Sequence, residues 1–361
     1  MTLRVLIAAG GTGGHIYPGI AVAKEVRRRD PQAAVRFVGT AKGLETRLVP
    51  QAGFELSLIE SAGLVNMGLA ARVRGLGVLP RSFAQARRLV REFAPSIVVG
   101  AGGYVSGPVL LTAALMRAPT LVMESNAVPG FTNRTLARFV DAAAVSFEAA
   151  LPFFRGKGVV TGNPVRREFF EVPAKARDPR EFRLLVFGGS QGARAVNEAV
   201  VAALPHLSGV RDVLGITHQT GKLDFEKVRE GYKAAGWEAR ADVREYIDDM
   251  VSAFASSDLI VSRAGATTSF ELMAAGRAAL MVPLPGQLEQ RRNAEVMQEA
   301  GAARMIPQAE LSGERLAREL SALVADPDRV TRMSEASRGM ARGDAAKAAV
   351  DLMERLVDSR R

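Results

Sequence analysis

Short apolar runs recur along the chain, each closed by glycine or a polar turn and followed by a stretch with helical spacing. Arg4–Ala9 (RVLIAA) reads as a strand running into Gly10-Gly11-Thr12-Gly13-Gly14, with a helix predicted over 18–29. Residues 183–187 (RLLVF) repeat the arrangement, running into Gly188-Gly189-Ser190-Gln191-Gly192, with a helix over 193–204. Strand, glycine turn and helix in succession open a nucleotide-binding type of parallel sheet. Further apolar runs fit parallel strands at 35–38, 97–99, 120–123, 142–145, 259–261 and 279–282, and helical stretches alternate with them. That is the pattern of a doubly wound α/β sheet. Because the unit starts twice, two similar α/β domains are expected. A linker is expected over 161–183, where Pro164, Pro173 and Pro179 stand in a mixed charge run. Asp344 could cap a last helix with Ala348, Leu352 and Leu356 on one face. The expected division is 1–164, 165–341 and a terminal helix over 342–361, free to pack back on the first domain.

The length of 361 residues also suggests two domains, and 48% hydrophobic with 24% charged residues suits an ordinary core in each. The absence of cysteine rules out disulfides, thiolate metal sites and a cysteine nucleophile. Three histidines, His15, His206 and His218, make a histidine-rich metal centre an unpromising reading. The N-terminal apolar run is too short for a signal peptide. An uncharged run over 93–116 is long enough to span a bilayer, but its four glycines and two prolines read better as a buried strand, a glycine turn and a helix. The net charge of +10 lies wholly in the first half: residues 1–164 carry 19 Lys+Arg and 9 Asp+Glu, and residues 165–361 carry 29 of each. This implies either an anionic partner for the first domain or a solvated basic face.

Candidate chemistry gathers where strands end. The first glycine turn would let backbone approach a ligand and present N–H groups at a helix end. It is not the dinucleotide spacing, because Ile16 stands where the third glycine belongs and Gly39-Thr40 follows the next strand in place of an acid. His15, just after the turn, is a candidate general base, with Glu124 the alternative. Gly102-Gly103-Tyr104-Val105-Ser106-Gly107-Pro108 makes a second glycine turn, and Glu124-Ser125-Asn126 follows the next strand. Asn126 can both donate to and accept from an amide or sugar hydroxyl. In the second half, Ser262-Arg263-Ala264-Gly265-Ala266-Thr267-Thr268 precedes a helix over 269–275, a setting for pyrophosphate, and Glu271 could accept from ribose hydroxyls. Arg166, at the domain junction, could neutralise phosphate.

These motifs, together with Thr161-Gly162-Asn163-Pro164-Val165-Arg166, occur in the order that resembles the MurG family of N-acetylglucosaminyltransferases, which convert lipid I to lipid II in peptidoglycan synthesis. The resemblance runs over nearly the whole chain. It implies two Rossmann-like doubly wound domains facing across a cleft, the glycosyltransferase B arrangement. It also implies UDP-N-acetylglucosamine as donor, inversion at the anomeric carbon, attack by the 4-hydroxyl of the muramyl sugar, no cofactor and no tightly bound metal. Carried over, Thr12, Gly13, Gly14 and Asn126 would lie near the sugar, and Arg166 and Ser190 would hold phosphate. Ile247 would offer its backbone to uracil. Ala266, Thr267, Thr268, Ser269, Phe270 and Glu271 would surround pyrophosphate and ribose, and Gln290 would touch sugar hydroxyls. Two departures stand out: Leu288-Glu289 precedes Gln290 where the family has an acidic then a basic residue, and Ser125 stands where glutamine usually precedes the asparagine.

A polyprenyl-linked acceptor cannot leave the bilayer, so the enzyme would work peripherally at the cytoplasmic face of the membrane. The stretch 63–91 suits an anionic surface. Leu64, Val65, Met67, Leu69, Val73, Leu76, Val78, Leu79 and Phe83 are interspersed with Arg72, Arg74, Arg81, Arg87, Arg88 and Arg91, and no acid appears from 61 to 91. The same spacing also fits an ordinary amphipathic helix with its apolar face in the core. A UDP-N-acetylglucosamine 2-epimerase, of similar architecture, is the alternative enzyme. Nucleic acid is not an expected partner, since aromatic content is 6% and no recognised motif is present.

Overall fold

The computed structural model describes residues 2–360 apart from 62–68, 177, 179, 190 and 191, and over 69–76 it describes the backbone alone. The chain divides into two compact units, Met1–Val165 with Asp344–Arg361, and Arg166–Gly343. The first begins β1 (Arg4–Ala9), α1 (Gly13–Arg29), β2 (Ala34–Gly39), α2 (Glu45–Gln51), β3 (Glu55–Leu58) and α3 (Leu69–Phe93). It continues β4 (Ile97–Gly102), α4 (Ser106–Leu115), β5 (Thr120–Glu124), α5 (Phe131–Leu136), β6 (Ala142–Val145) and β7 (Gly158–Val160). Among the described residues these strands form one parallel sheet in the order β3-β2-β1-β4-β5-β6-β7. Both faces are covered, which is why its central strands are apolar without alternation. Val5, Ile7, Ile97 and Val99 pack on Ile16 and Ile20 of α1. Leu6, Ala8 and Val98 pack on Val109 and Leu110 of α4 and on Leu89 and Val90 of α3.

The second unit runs β8 (Phe182–Phe187), α6 (Arg194–Ala203), β9 (Leu214–Gln219), α7 (Phe225–Ala234), β10 (Ala241–Arg244) and α8 (Met250–Ser256). It then adds β11 (Leu259–Ser262), α9 (Ala266–Ala275), β12 (Ala278–Met281), α10 (Leu288–Glu299), β13 (Ala303–Met305), α11 (Gly313–Ala325) and α12 (Pro327–Gly339). The sheet order is β10-β9-β8-β11-β12-β13, again parallel. Its core joins Leu184, Val186 and Ile216 to Val196 and Val200 of α6 and Leu316 and Leu320 of α11. The chain then returns to the first unit as α13 (Ala345–Asp358), where Arg29 of α1 pairs with Asp351 (2.7 Å) and Glu354 (2.8 Å).

Two parallel α/β units of this kind match the fold class expected from the strand and glycine pattern. The structure corrects several details. α1 starts at Gly13, not at Pro18, which lies inside the helix; the Thr12 carbonyl accepts from the His15 and Ile16 N–H groups and closes the first turn ahead of the proline. β3, β7, β10 and β13 were not predicted. All four are edge strands, which lack the two-sided burial that writes a continuous apolar run. β9 was missed because Gly215 and Thr217 interrupt its apolar residues. The buried residues of α13 are Ala345, Ala349, Val350, Leu352, Met353 and Val357, while Ala348 and Leu356 are only half-buried, and the Asp344 side chain makes no cap bond.

The uncharged run over 93–116 is strand β4, a glycine turn and helix α4, and no helix among the described residues is long and apolar enough to cross a membrane. Of the stretch over 63–91, Leu64, Val65 and Met67 lie outside the described residues, as do the side chains of Leu69, Arg72, Val73, Arg74 and Leu76. Further along α3, Ala86, Leu89, Val90 and Phe93 are core, while Arg81, Arg87, Arg88 and Arg91 are exposed and Val78, Leu79 and Phe83 are half-buried.

Candidate functional site

In each sheet the strand order reverses beside the first strand, between β1 and β4 and between β8 and β11. Ligands of open α/β sheets bind at such switch points, outside the carboxyl ends of the strands. All the glycine turns singled out above lie at these ends.

In the first unit β4 carries an irregularity, so that Ala8 pairs with Gly100 but Ala9 with Gly102. The Gly10 N–H then donates to the Gly102 carbonyl (3.3 Å). Ser106 Oγ accepts from the Gly102 N–H (3.2 Å) and lies 3.1 Å from the Ala8 carbonyl, tying the two turns together. Gly103, with φ +82°, packs against the Gly10 carbonyl so closely that a β-carbon would clash. Gly102, with φ +118°, receives the His15 imidazole against its α-carbon, where a side chain would collide with Nδ1. His15 is therefore seated on the second glycine turn. Burial lowers its pKa below the usual imidazole value, with a hydrogen bond to the Ala101 backbone acting the other way. Thr12 is exposed, and Gly13 and Gly14 are half-buried at the start of α1.

Glu124, the other candidate base, ends β5 and is buried. Oε1 accepts from the N–H and Nδ2 of Asn126 (2.8 and 3.1 Å), and Oε2 accepts from Asn133 Nδ2 (2.8 Å) and the Gly130 N–H (3.3 Å). Burial pushes its carboxyl up and these four donors pull it back. Both oxygens are thus engaged in shaping the turn after β5, and Asn126 spends part of its amide on Glu124. Ser125 donates to Asn163 Oδ1 (3.0 Å), and the buried Asn163 Nδ2 has no partner among the described residues.

In the second unit a cleft of about 610 Å³ opens at the switch point, between Gly188, Gly189, Gly192, Arg263, Thr268 and Gln290. Helix α9 begins there at Ala266 with no side-chain cap, so its first N–H groups point outward. Gln290 accepts from the Leu284 N–H (3.0 Å) through Oε1, which leaves its NH₂ group for the cleft. Ser269 Oγ turns back to the Gly265 carbonyl (3.1 Å) and Phe270 is buried, so neither side chain faces outward as Thr267 and Thr268 can. Ser190 lies outside the described residues.

Arg166 and Glu271 are brought together, Nη2 to Oε1 at 3.4 Å, with Glu271 nearly buried and Arg166 half-exposed over the Phe169 ring. Burial raises the Glu271 pKa to about 7 although Arg166 opposes the shift. The Ile247 N–H donates to Gln219 Oε1 (2.8 Å), so a contact to a ligand base would fall to its carbonyl. A second hollow, of about 660 Å³, opens at the other ends of the strands beside Phe182, Asp258 and Arg277, and it holds none of the glycine turns.

Sequence reasoning missed Gln219, whose Nε2 donates to the Gly189 carbonyl (3.0 Å) while Oε1 holds Ile247. It also missed Glu45, Asn133 and Asn163, all buried. The available signal was a polar residue at a strand or helix end beside glycines, and that signal became specific only once β9 and α2 were placed.

The sequence profile of the glycosyltransferase family 28 N-terminal domain matches residues 5–145, and that of the family 28 C-terminal domain matches 183–356. The chain is similar to the UDP-N-acetylglucosamine--N-acetylmuramyl-(pentapeptide) pyrophosphoryl-undecaprenol N-acetylglucosamine transferases of Anaeromyxobacter sp. (strain Fw109-5) and of Geobacter sulfurreducens. The first is 48% identical over 99% of this chain and 94% of the relative. The second is 45% identical over 97% of this chain and 98% of the relative. Among solved structures, Acinetobacter baumannii MurG superposes with a TM-score of 0.82 at 32% identity, covering 98% of this chain and 99% of that one. A putative UDP-N-acetylglucosamine 2-epimerase from Listeria monocytogenes, at 15% identity and a TM-score of 0.69 over 96% of this chain and 94% of that one, shares the fold alone.

The raised pKa of Glu271 has a consequence for stability. Between its ordinary value near 4.5 and about 7 the unfolded chain releases a proton that the folded chain keeps, so folding stability falls as pH rises through this window. Above about 7 both states are ionised and the penalty persists. Glu271→Gln should therefore lose less stability than the wild type between pH 5 and 7.5, as read by urea unfolding at a series of pH values. Parallel curves for the two proteins would contradict the assigned shift.

Proposed function

The chain belongs to glycosyltransferase family 28, and we propose that it transfers N-acetylglucosamine from UDP-N-acetylglucosamine to the 4-hydroxyl of the muramyl sugar of a polyprenyl-pyrophosphate-linked pentapeptide, with inversion. The observation that carries this reading is the near-full-length identity to relatives bearing that name. The switch-point cleft of the second unit supports it.

The donor is assigned to the second unit. The outward N–H groups at the start of α9, with the hydroxyls of Thr267 and Thr268, suit pyrophosphate. Ser190, in the adjoining glycine turn, would add a further hydroxyl. Glu271 would accept from ribose hydroxyls, the Ile247 carbonyl would meet uracil, and the Gln290 amide would donate to the sugar. As the bond from the anomeric carbon to UDP breaks, negative charge grows on the β-phosphate. The helix end and the Arg166 guanidinium are the groups to stabilise it. The acceptor chemistry is assigned to the first unit. Thr12, Gly13, Gly14 and Asn126 would lie near the sugar, and His15 would take the proton from the 4-hydroxyl as that oxygen forms its bond to the anomeric carbon. A half-buried imidazole with a lowered pKa is neutral and ready to accept. Glu124, with both oxygens hydrogen-bonded, is assigned a structural part.

The membrane contact is assigned to residues 63–91, at the cytoplasmic face. The half-buried Val78, Leu79 and Phe83 beside the exposed Arg81, Arg87 and Arg88 support that reading. The buried Ala86, Leu89, Val90 and Phe93 belong to the core.

Incubation of labelled UDP-N-acetylglucosamine with a short-chain lipid I analogue should give a disaccharide product. Label conversion without acceptor would favour epimerisation. His15→Ala should cut turnover by roughly 10²-fold or more with UDP affinity nearly intact. In the wild type, the acid limb of the turnover profile should fall below pH 6.5, since protonation of a lowered-pKa imidazole removes the base. A variant with near-normal turnover would remove His15 from the mechanism. A folded Leu79→Glu, Phe83→Glu protein that binds UDP should no longer sediment with anionic vesicles; undiminished sedimentation would place the membrane contact elsewhere.

A further inference from the structure

One buried carboxylate holds the first glycine turn from beneath. Glu45 opens α2 and has no solvent exposure. Its Oε2 accepts the Gly11 N–H (3.0 Å), and its Oε1 accepts both the N–H and the Oγ1 of Thr40 (2.8 Å each). The next residue back, Leu44, donates its N–H to the Gly11 carbonyl (3.3 Å). The Gly11 residue, at φ +91°, is therefore gripped at both its N–H and its carbonyl by the start of one helix.

Space for the carboxylate is made by glycines on three sides. A β-carbon on Gly10 would lie 2.9 Å from Oε1, and one on Gly39 or Gly43 would collide with the same side chain. Among the described residues no basic side chain pairs with Glu45. A buried carboxylate is costly unless hydrogen-bonded, and the donors that hold this one belong to two backbone turns. Its grip is exerted four residues before His15, whose imidazole rests on Gly102, itself bonded to Gly10.

We infer that Glu45 is a positioning residue for the transfer reaction: it sets the Gly10–Gly11 backbone, and through it the start of α1 and the His15 imidazole, without touching substrate. This rests on the assignment of His15 and the first glycine turn to acceptor chemistry. It also means that the Gly11 N–H is already committed, so ligand-facing donors of the turn begin at Thr12.

Glu45→Gln tests the inference, because the amide oxygen keeps the two Thr40 donors and the NH₂ group must then face the Gly11 N–H, whose bond is lost. Gly43→Ala tests it independently, keeping the carboxylate but pushing it aside. Three quantities are to be measured on the full-length protein: turnover with a lipid I analogue, UDP affinity by calorimetry, and amide hydrogen exchange in peptides spanning Gly11. Both variants should show faster exchange at Gly11 and a turnover lowered by about 10- to 10²-fold, as expected when a reacting group is misplaced by an ångström or less. UDP affinity should stay within about twofold, since that site lies on the other unit. Wild-type exchange and turnover in a folded Glu45→Gln protein would overturn the inference, as would turnover loss without any change at Gly11. A Glu45→Gln protein that fails to fold leaves the decision to Gly43→Ala on the same readouts. If the wild type itself transfers no sugar, the functional reading fails while the exchange result still decides whether Glu45 holds the turn.

Discussion

In both units a glycine lies against a carbonyl of the neighbouring turn with no room for a β-carbon, Gly103 against Gly10 and Gly192 against Thr220. Everything at the carboxyl ends of the two sheets depends on that approach. Parallel strands at a switch point deliver two turns side by side, and only backbone without a side chain lets them touch. With Gly103 against Gly10, the His15 imidazole can rest on Gly102. With Gly192 against Thr220, the third glycine turn can close beside the start of α9.

Glycine turns have little conformational preference of their own, so something else must hold their shape. Here the work falls to buried polar side chains that reach out from strand and helix ends. Glu45 holds Gly11, Glu124 holds residues 126 to 133, and Gln219 joins Gly189 to Ile247. Asn197 donates to the Thr220 carbonyl and is itself held by the buried His218, which pairs in turn with Tyr232. Burial keeps that histidine neutral, with a pKa of about 3. Each such group would cost roughly 1–3 kcal/mol if stripped of its partners, so the networks favour one arrangement of the turn over its many alternatives.

The Arg166–Glu271 pair shows the other use of burial. Glu271 sits one turn inside α9, where desolvation opposes its charge, and Arg166 is the cation that offsets part of that cost. A guanidinium half in water keeps donors to spare for an anion. The same pair thus moderates the acid and holds a positive charge near the helix start.

The chain's own pattern was enough to reveal two doubly wound units, because strands buried on both faces must be continuously apolar and must end in turn residues. β1, β4, β5, β8 and β11 were legible for that reason, and so were the glycine turns after β1, β4 and β8. Edge strands such as β3 and β13 were not, since one-sided burial writes a weaker pattern. Neither were Glu45, Asn133 and Gln219, which stand 34, 9 and 30 positions from the groups they hold. A hydrogen bond across such distances leaves no periodicity in the sequence. Composition and local pattern determined where backbone could approach a ligand. Only the tertiary structure decided which buried side chains fix that backbone, because the partners meet only after the strands between them have taken their places in the sheet.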